Sequence, residues 1–86
     1  MPTISKFYGI LIRMYFDDHN PPHFHAIYNE FKAEICISDF SLLKGDLPPK
    51  ALSLVLEWTR LHQEDLLRDW ELAVSKKPLF NIEPLK

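Results

Sequence analysis

The stretch that decides the fold is residues 10–28, ILIRMYFDDHNPPHFHAIY, because it holds two strand-like runs and the loop that joins them. Apolar side chains alternate with other side chains along residues 10–16, and the same period of two returns along residues 23–29. This period is typical of β-strands, whose successive side chains point to opposite faces of a sheet. Residues 17–22 contain two adjacent prolines, interrupt the alternation and therefore predict a loop.

Three further short runs extend this pattern through the first half of the chain. We predict strands at residues 3–7, 32–37 and 40–43, with turns between them. Strands so close in sequence are expected to pair with their neighbours. Residues 1–45 are therefore predicted to form an antiparallel β meander.

The second half of the chain changes to the period of an α-helix. Pro48 and Pro49 suit a first helical turn, and Asp46 is a candidate N-cap. Polar side chains then recur at steps of three or four without losing phase: Lys50, Ser53, Glu57, Arg60, Glu64, Arg68, Glu71 and Ser75. This stripe predicts one long helix over residues 46–76, followed by an extended segment, residues 77–86, that returns to a sheet edge.

These elements predict an α+β fold, in which an antiparallel sheet of four to six strands is packed on one face by a single long helix. The 86-residue chain has room for one domain, residues 1–86. The more apolar face of the sheet is expected to meet the helix. By strand parity, the side chains pointing away from the helix are then Arg13, Tyr15, His23, His25, Lys32, Glu34 and Cys36.

Composition narrows the class of the protein and its compartment. Hydrophobic residues make up 47% of the chain and charged residues 26%, as in an ordinary globular domain. The net charge of −2 gives RNA binding no electrostatic support. Cys36 is the only cysteine, residues 1–4 do not resemble a signal peptide, and no apolar run approaches the roughly 20 residues of a membrane span. We therefore expect a soluble, cytoplasmic protein with no membrane association.

Several short motifs resemble the DUF4160 family of small bacterial proteins. The most specific is Pro21-Pro22-His23-Phe24-His25, which follows Asp18-His19. The others are Pro2-Thr3-Ile4, Leu47-Pro48, Leu56-Glu57-Trp58, His62 and Trp70-Glu71. The resemblance spans nearly the whole chain and supplies no catalytic residues. It implies a two-gene, toxin–antitoxin-like module with a DUF2442-like protein encoded nearby as the partner, and hence a binding or regulatory role.

Three of the four histidines lie within seven residues and form a candidate metal site: His19, His23 and His25. Neutral imidazole binds Zn²⁺ and other divalent transition metals. A His-x-His pair on a strand places both rings on one face, and the third histidine adds a nitrogen from the loop. Asp17, Asp18 or Glu34 is the candidate oxygen donor. The alternative is structural: the prolines fix a bend, and the rings cap backbone groups or stack on Tyr15.

The same rings are candidates for acid–base catalysis without a metal. His23 and His25 can move protons near neutral pH, and Arg13 or Lys32 on the same face can steady a phosphate. These roles predict a small ribonuclease-like toxin. The alternative is an ordinary solvated sheet face without a catalytic task.

A second polar cluster, His62, Asp65 and Asp69, is aligned along the predicted helix by spacings of three and seven residues. It is either a patch for a partner or for acid–base chemistry, or a wet turn that the short sheet leaves uncovered. Three functions therefore stay open: a binding or regulatory component, a ribonuclease-like toxin and a metal-binding domain. A homodimer is compatible with each of them.

Overall fold

A computed structural model describes residues 2–16 and 18–86 of the chain. Its strands are β1 (Thr3–Phe7), β2 (Ile10–Arg13), β3 (His23–Tyr28), β4 (Phe31–Cys36) and β5 (Leu42–Gly45). They form one antiparallel sheet in the order β1-β2-β3-β4-β5, so each strand pairs with its neighbour in sequence. The predicted α+β class and the antiparallel sheet are confirmed.

Two helices, not one, follow the sheet: α1 (Pro49–Leu61) and α2 (Gln63–Val74). The prediction of a single helix over residues 46–76 is therefore wrong. His62 separates the helices with φ −124° and ψ 24°, and its N–H donates to the carbonyl oxygens three and four residues back, at 3.2 and 3.1 Å. Because only one residue leaves the helical conformation, the polar stripe continues across the break and carries no sign of it.

The first helix also begins later than the pattern predicts. Pro48 precedes it without a side-chain cap, and Oδ1 of Asp46 accepts the N–H of Leu47 at 2.8 Å. Asp46 thus orders the turn before the helix and does not cap it. In the described part of the chain, neither helix is long and apolar enough to cross a membrane.

The core lies between the apolar face of the sheet and the helices. The side chain of Trp58 in α1 is fully buried, and its ring lies 5.3 Å from that of Phe7 and 5.8 Å from that of Phe24. Burying large apolar side chains stabilises a fold by about 1.5–3 kcal/mol each. Other buried apolar residues of this core are Ile4, Ile10, Ile12, Met14, Ala26, Ala33, Ile35, Ile37, Val55, Leu66, Trp70 and Ala73. The face predicted to be buried is the one that the helices cover.

The C-terminal segment returns to the edge of β1. The N–H of Ile82 donates to the carbonyl oxygen of Ile4 at 2.7 Å, and the carbonyl oxygen of Glu83 accepts the indole N–H of Trp58 at 2.8 Å. No strand is assigned to the segment within the described residues. The segment therefore reaches the predicted sheet edge but does not pair with β1 as a further strand.

Gly45 ends β5 in the left-handed region, with φ +77°. A Cβ atom added there would collide with the carbonyl oxygen of Lys32. Only glycine therefore allows β5 to lie this close to β4 at this position.

Candidate metal centre

A row of polar side chains crosses four strands on one face of the sheet. Arg13 of β2 pairs with His25 of β3, His25 pairs with Glu34 of β4, and Glu34 pairs with Lys44 of β5. Directly opposed residues of antiparallel strands project from the same face. The predicted placement of Arg13, His25 and Glu34 on a shared face is confirmed.

His23 begins β3 and is buried, with 4% of its surface exposed. Its ring lies 5.3 Å from that of His25 and also 5.3 Å from the indole of Trp70 in α2. The prediction that both histidines point away from the helical layer is therefore wrong for His23. Strand parity correctly places His23 beside His25, but it does not show that Trp70 of α2 reaches the ring of His23 at the start of β3.

The loop before β3 fixes the orientation of the His23 ring. Nδ1 of His23 lies 2.7 Å from the carbonyl oxygen of Pro21. Because a carbonyl oxygen only accepts hydrogen bonds, Nδ1 carries the proton and donates it. In the neutral ring, Nε2 is then an unprotonated nitrogen with a lone pair.

Asp18 lies beside this nitrogen. Its Oδ2 is 3.0 Å from Nε2 of His23 and 3.2 Å from Nε2 of His25, and its Oδ1 accepts the N–H of His19 at 3.1 Å. Burial raises the pKa of Asp18, but the hydrogen bond from His25, attraction to His23 and the N–H of His19 outweigh burial and hold the pKa below its usual value. Asp18 is therefore a carboxylate anion at neutral pH.

Two further side chains border the cluster. Oε1 of Glu34 lies 3.5 Å from Nε2 of His23. Tyr15 meets the ring of His25 edge-on, with the ring centroids 4.3 Å apart, as the structural alternative predicts. Tyr15 therefore restrains the ring of His25, and Glu34 offers a second carboxylate.

The structure brings together Asp18, His23 and His25, whose three ligand atoms all lie within 4.8 Å of one another. The sequence singled out both histidines and named Asp18 as one of three oxygen donors. His19 stays outside the group, because its side chain is 94% exposed and its Nδ1 lies 3.8 Å from the outer oxygen of Asp18. Asp17 lies outside the described residues.

Arg13, the third predicted catalytic residue, lies next to His25 across the β2–β3 ladder. Its Nε is buried and has no hydrogen-bond partner among the residues that the structure describes. Arg13 thus lies beside the cluster, and its Nε–H donates no hydrogen bond to the described part of the chain.

The residues of the second polar cluster, His62, Asp65 and Asp69, differ in burial and do not form one site. His62 and Asp65 interact weakly, with 3.7 Å between Nδ1 and Oδ2, whereas Asp69 is only 1% exposed. Oδ1 of Asp69 accepts the N–H of Phe80 at 3.0 Å, and its Oδ2 has no partner among the described residues. Burial raises the pKa of Asp69; the N–H of Phe80 lowers it, less strongly, and the charge of Asp65 raises it further. Asp69 therefore holds the C-terminal segment, a role that its helical spacing did not indicate.

The spacing of the ligand atoms around Asp18 suits a small metal ion. Zn²⁺ binds nitrogen and oxygen at about 2.0–2.1 Å in a tetrahedron, which places the ligand atoms about 3.3 Å apart. Oδ2 of Asp18 lies 3.0 Å from Nε2 of His23 and 3.2 Å from Nε2 of His25, and Oε1 of Glu34 lies 3.5 Å from Nε2 of His23. The ligand atoms of the two histidines lie within 4.8 Å of each other. The same distances suit hydrogen bonds to the carboxylates when Nε2 carries a proton. His25 can carry it as a neutral ring, whereas His23, which donates its Nδ1 proton to Pro21, needs an additional proton. The arrangement can therefore bind a metal ion or exchange protons.

Residues 9–71 match a protein family described as a domain of unknown function, DUF4160. The matched range covers most of the 86-residue chain and contains Asp18, His23 and His25. It confirms the resemblance carried by the sequence motifs. No curated protein and no solved structure matches the chain.

Proposed function

The chain belongs to the DUF4160 family, and because that family has no assigned function, we propose one from the site itself: a metal-binding domain. Asp18, His23 and His25 are the ligands of a divalent transition-metal ion. Zn²⁺ suits two imidazoles and a carboxylate well. Both histidines stand on β3, which is paired on each side, so the sheet supports them before an ion binds.

The main support for this proposal is that two carboxylates, those of Asp18 and Glu34, lie close to Nε2 of His23. Nδ1 of His23 donates to Pro21, so Nε2 of the neutral ring turns a lone pair toward Asp18 at 3.0 Å and toward Glu34 at 3.5 Å. A buried lone pair and two carboxylates repel one another unless a cation lies between them. A metal ion supplies that cation. The bond from the other ring nitrogen to a carbonyl is the usual support of a metal-ligating histidine.

Three protein ligands leave a tetrahedral ion one further position. Glu34 is the nearest side chain that can fill it, since its Oε1 is 3.5 Å from Nε2 of His23. A ligand from solution is the other occupant, as in zinc sites that keep an open position for chemistry. The proposal therefore extends to a site with an exchangeable fourth ligand.

A second candidate function uses the same residues without a metal. A proton on Nε2 of His23 also relieves the repulsion and gives an Asp18–histidine pair that can exchange protons. Arg13 supports this candidate, because its buried Nε–H lacks a hydrogen-bond partner within the described chain. The candidate is a ribonuclease-like activity in which Arg13 steadies a phosphate.

The family resemblance also leads us to propose a DUF2442-like protein partner in a two-gene module. Its support in the fold is β5, which forms one edge of the described sheet and exposes 42% of Leu42 and of Leu43. A strand edge can accept a strand from another chain. Co-expression with the neighbouring gene product should yield a complex, and a protein that always purifies alone contradicts the proposal. A homodimer and a cytoplasmic location stay predictions.

Calorimetric titration of the chelator-treated, untagged protein with Zn²⁺ tests the metal proposal. Wild type is expected to bind one ion per chain. Asp18→Asn and His25→Ala each remove a ligand, and are expected to weaken binding by at least about a hundredfold. His19→Ala is the matched control, because His19 belongs to the same loop but is 94% exposed.

The results separate the two functions that share the site. Binding that is equal in wild type and His25→Ala, or a melting temperature that Zn²⁺ does not raise, contradicts the metal proposal. RNA cleavage by chelator-treated protein, lost in His25→Ala and Arg13→Met but retained in His19→Ala, supports the second candidate. Circular dichroism of each variant shows whether the fold is kept.

A further inference from the structure

We infer that the pocket beside the metal centre binds a small phosphate ester or free phosphate, with two lysines neutralising its charge. The inference rests on the proposed metal function, and names the class of ligand that the open position of the ion takes. The pocket has a volume of about 300 Å³ and is lined by Tyr15, His25, Lys32, Glu34 and Lys44. This volume lies at the small end of ligand pockets in proteins.

The pocket and the metal centre share side chains. His25 lines the pocket, and its Nε2 is one of the three ligand atoms. Glu34 also lines the pocket, and its Oε1 lies 3.5 Å from Nε2 of His23. A ligand in the pocket therefore lies next to the ion and can supply the fourth donor atom.

The charge of the pocket favours an anion. Lys32 and Lys44 stand on neighbouring strands, and neither forms an ion pair with a carboxylate within residues 2–16 and 18–86. Among the described residues, Glu34 is the one acidic side chain of the lining, and its Oε1 lies 3.5 Å from Nε2 of His23, at the metal centre. The lining thus carries two positive side chains and one negative side chain, and with His25 neutral its net charge is positive.

The chemistry of these groups points to phosphate. A lysine ammonium binds phosphate oxygens as a compact point charge, and two ammonium groups match the double charge of a phosphate monoester. A phosphate oxygen is also a good donor to a hard or borderline ion such as Zn²⁺. Gly45 forms part of the wall of the pocket.

Titration of zinc-loaded protein with inorganic phosphate, after removal of free metal, tests the inference. The variant Lys32→Met/Lys44→Met removes both charges and keeps an unbranched side chain of nearly the same length. It is expected to weaken phosphate binding at least about tenfold. Its affinity for Zn²⁺ should stay within about threefold of wild type, since neither lysine is a ligand. Lys6→Met, on the exposed side of β1, is the matched control and should bind phosphate as wild type does.

The outcomes distinguish this inference from the metal proposal. If Zn²⁺ binds as proposed but phosphate binds equally to wild type and to the double variant, the inference is wrong and the metal function stands. Phosphate that binds equally well to chelator-treated protein shows that the ion is not part of the subsite, which also overturns the inference. If no Zn²⁺ binds at all, both the metal function and the inference fall.

Discussion

Nδ1 of His23 donates a hydrogen bond to the carbonyl oxygen of Pro21 across 2.7 Å, and this bond determines which way the other ring nitrogen, Nε2, points. A flipped ring would place carbon against the carbonyl, so the hydrogen bond selects one orientation. Nε2 then faces Asp18 and Glu34. The proline-containing loop thereby determines the chemistry available at the start of β3.

Trp70 should report the arrival of an ion, because its indole lies 5.3 Å from the ring of His23. We expect one equivalent of Cu²⁺, which imidazole binds well, to quench tryptophan fluorescence, and a chelator to restore it. Trp70→Phe should lose most of this response, since only Trp58 remains. Quenching that is the same in Trp70→Phe and wild type would place the ion elsewhere on the protein.

Asp69 should make the protein less stable as the pH rises. Burial raises its pKa above the ordinary 3.8, so the folded protein holds this proton more tightly than the unfolded chain. Its contribution to stability is therefore fully present below pH 3.8 and is lost as the pH rises through the folded-state pKa. Asp69→Asn keeps an oxygen for the N–H of Phe80 but removes the charge.

The free energy of unfolding of Asp69→Asn relative to wild type should therefore increase between acidic and neutral pH. Urea denaturation at several pH values measures this difference. Asp65→Asn, at a partly exposed position of the same helix, is the control and should show a smaller change. A difference between Asp69→Asn and wild type that does not vary with pH contradicts the prediction.

Gly45→Ala should destabilise the fold strongly. The residue has φ +77°, and a Cβ atom would collide with the carbonyl oxygen of Lys32, so backbone strain and overlap add together. The expected loss is at least about 3 kcal/mol. Gly9→Ala is a matched control, because Gly9 has φ +78° but its added Cβ would meet only the ring of Tyr28, at 3.5 Å.

Gly9→Ala is expected to cost only about 1 kcal/mol, since it introduces strain without overlap. Urea denaturation of both variants measures the two losses. Equal losses would show that the close approach of β5 to β4 contributes nothing beyond the positive φ.

Gln63 should stabilise the contact between the start of α2 and the end of the sheet. Its amide nitrogen donates to the carbonyl oxygens of Ile37 at 2.9 Å and Ser38 at 3.2 Å. Gln63→Ala removes both bonds and is expected to lower the free energy of unfolding by about 1 kcal/mol. Glu64→Ala changes the exposed neighbour and should have less effect, and equal melting temperatures for the two variants would refute the role of Gln63.

The sheet was predictable because each strand signals itself locally. Alternation along residues 10–16 and 23–29 identifies the buried face, and short connections leave antiparallel pairing as the simple solution. The helix break was not predictable by the same means. His62 is an ordinary residue for a helix, and a break of one residue keeps the polar stripe in phase.

In the candidate site, too, local features were predictable from the sequence and contacts with distant segments were not. The spacing of His19, His23 and His25 predicted a shared site, with Asp18 as one of three candidate oxygen donors, because the loop and strand that carry them are adjacent in sequence. The structure keeps His23, His25 and Asp18 in the group and leaves His19 outside it. The approach of Trp70 and the burial of Asp69 depend on where distant segments fold. No local pattern contains that information, so the sequence did not predict the contact of His23 with Trp70 or the burial of Asp69, for which a functional patch and a wet turn both stayed open.

The row from Arg13 to Lys44 has a consequence for folding itself. Each of its members stands on a different strand, so a slip of one residue between β3 and β4 would turn Glu34 away from His25. The pocket proposed to bind phosphate is lined by residues of these paired strands, His25, Glu34 and Lys44, so it is complete only in the native register. A ligand that binds only to the native pairing would stabilise it by about 2.7 kcal/mol at a free concentration a hundred times its dissociation constant. Phosphate bound in this pocket would therefore favour the native strand alignment over slipped pairings of β3, β4 and β5.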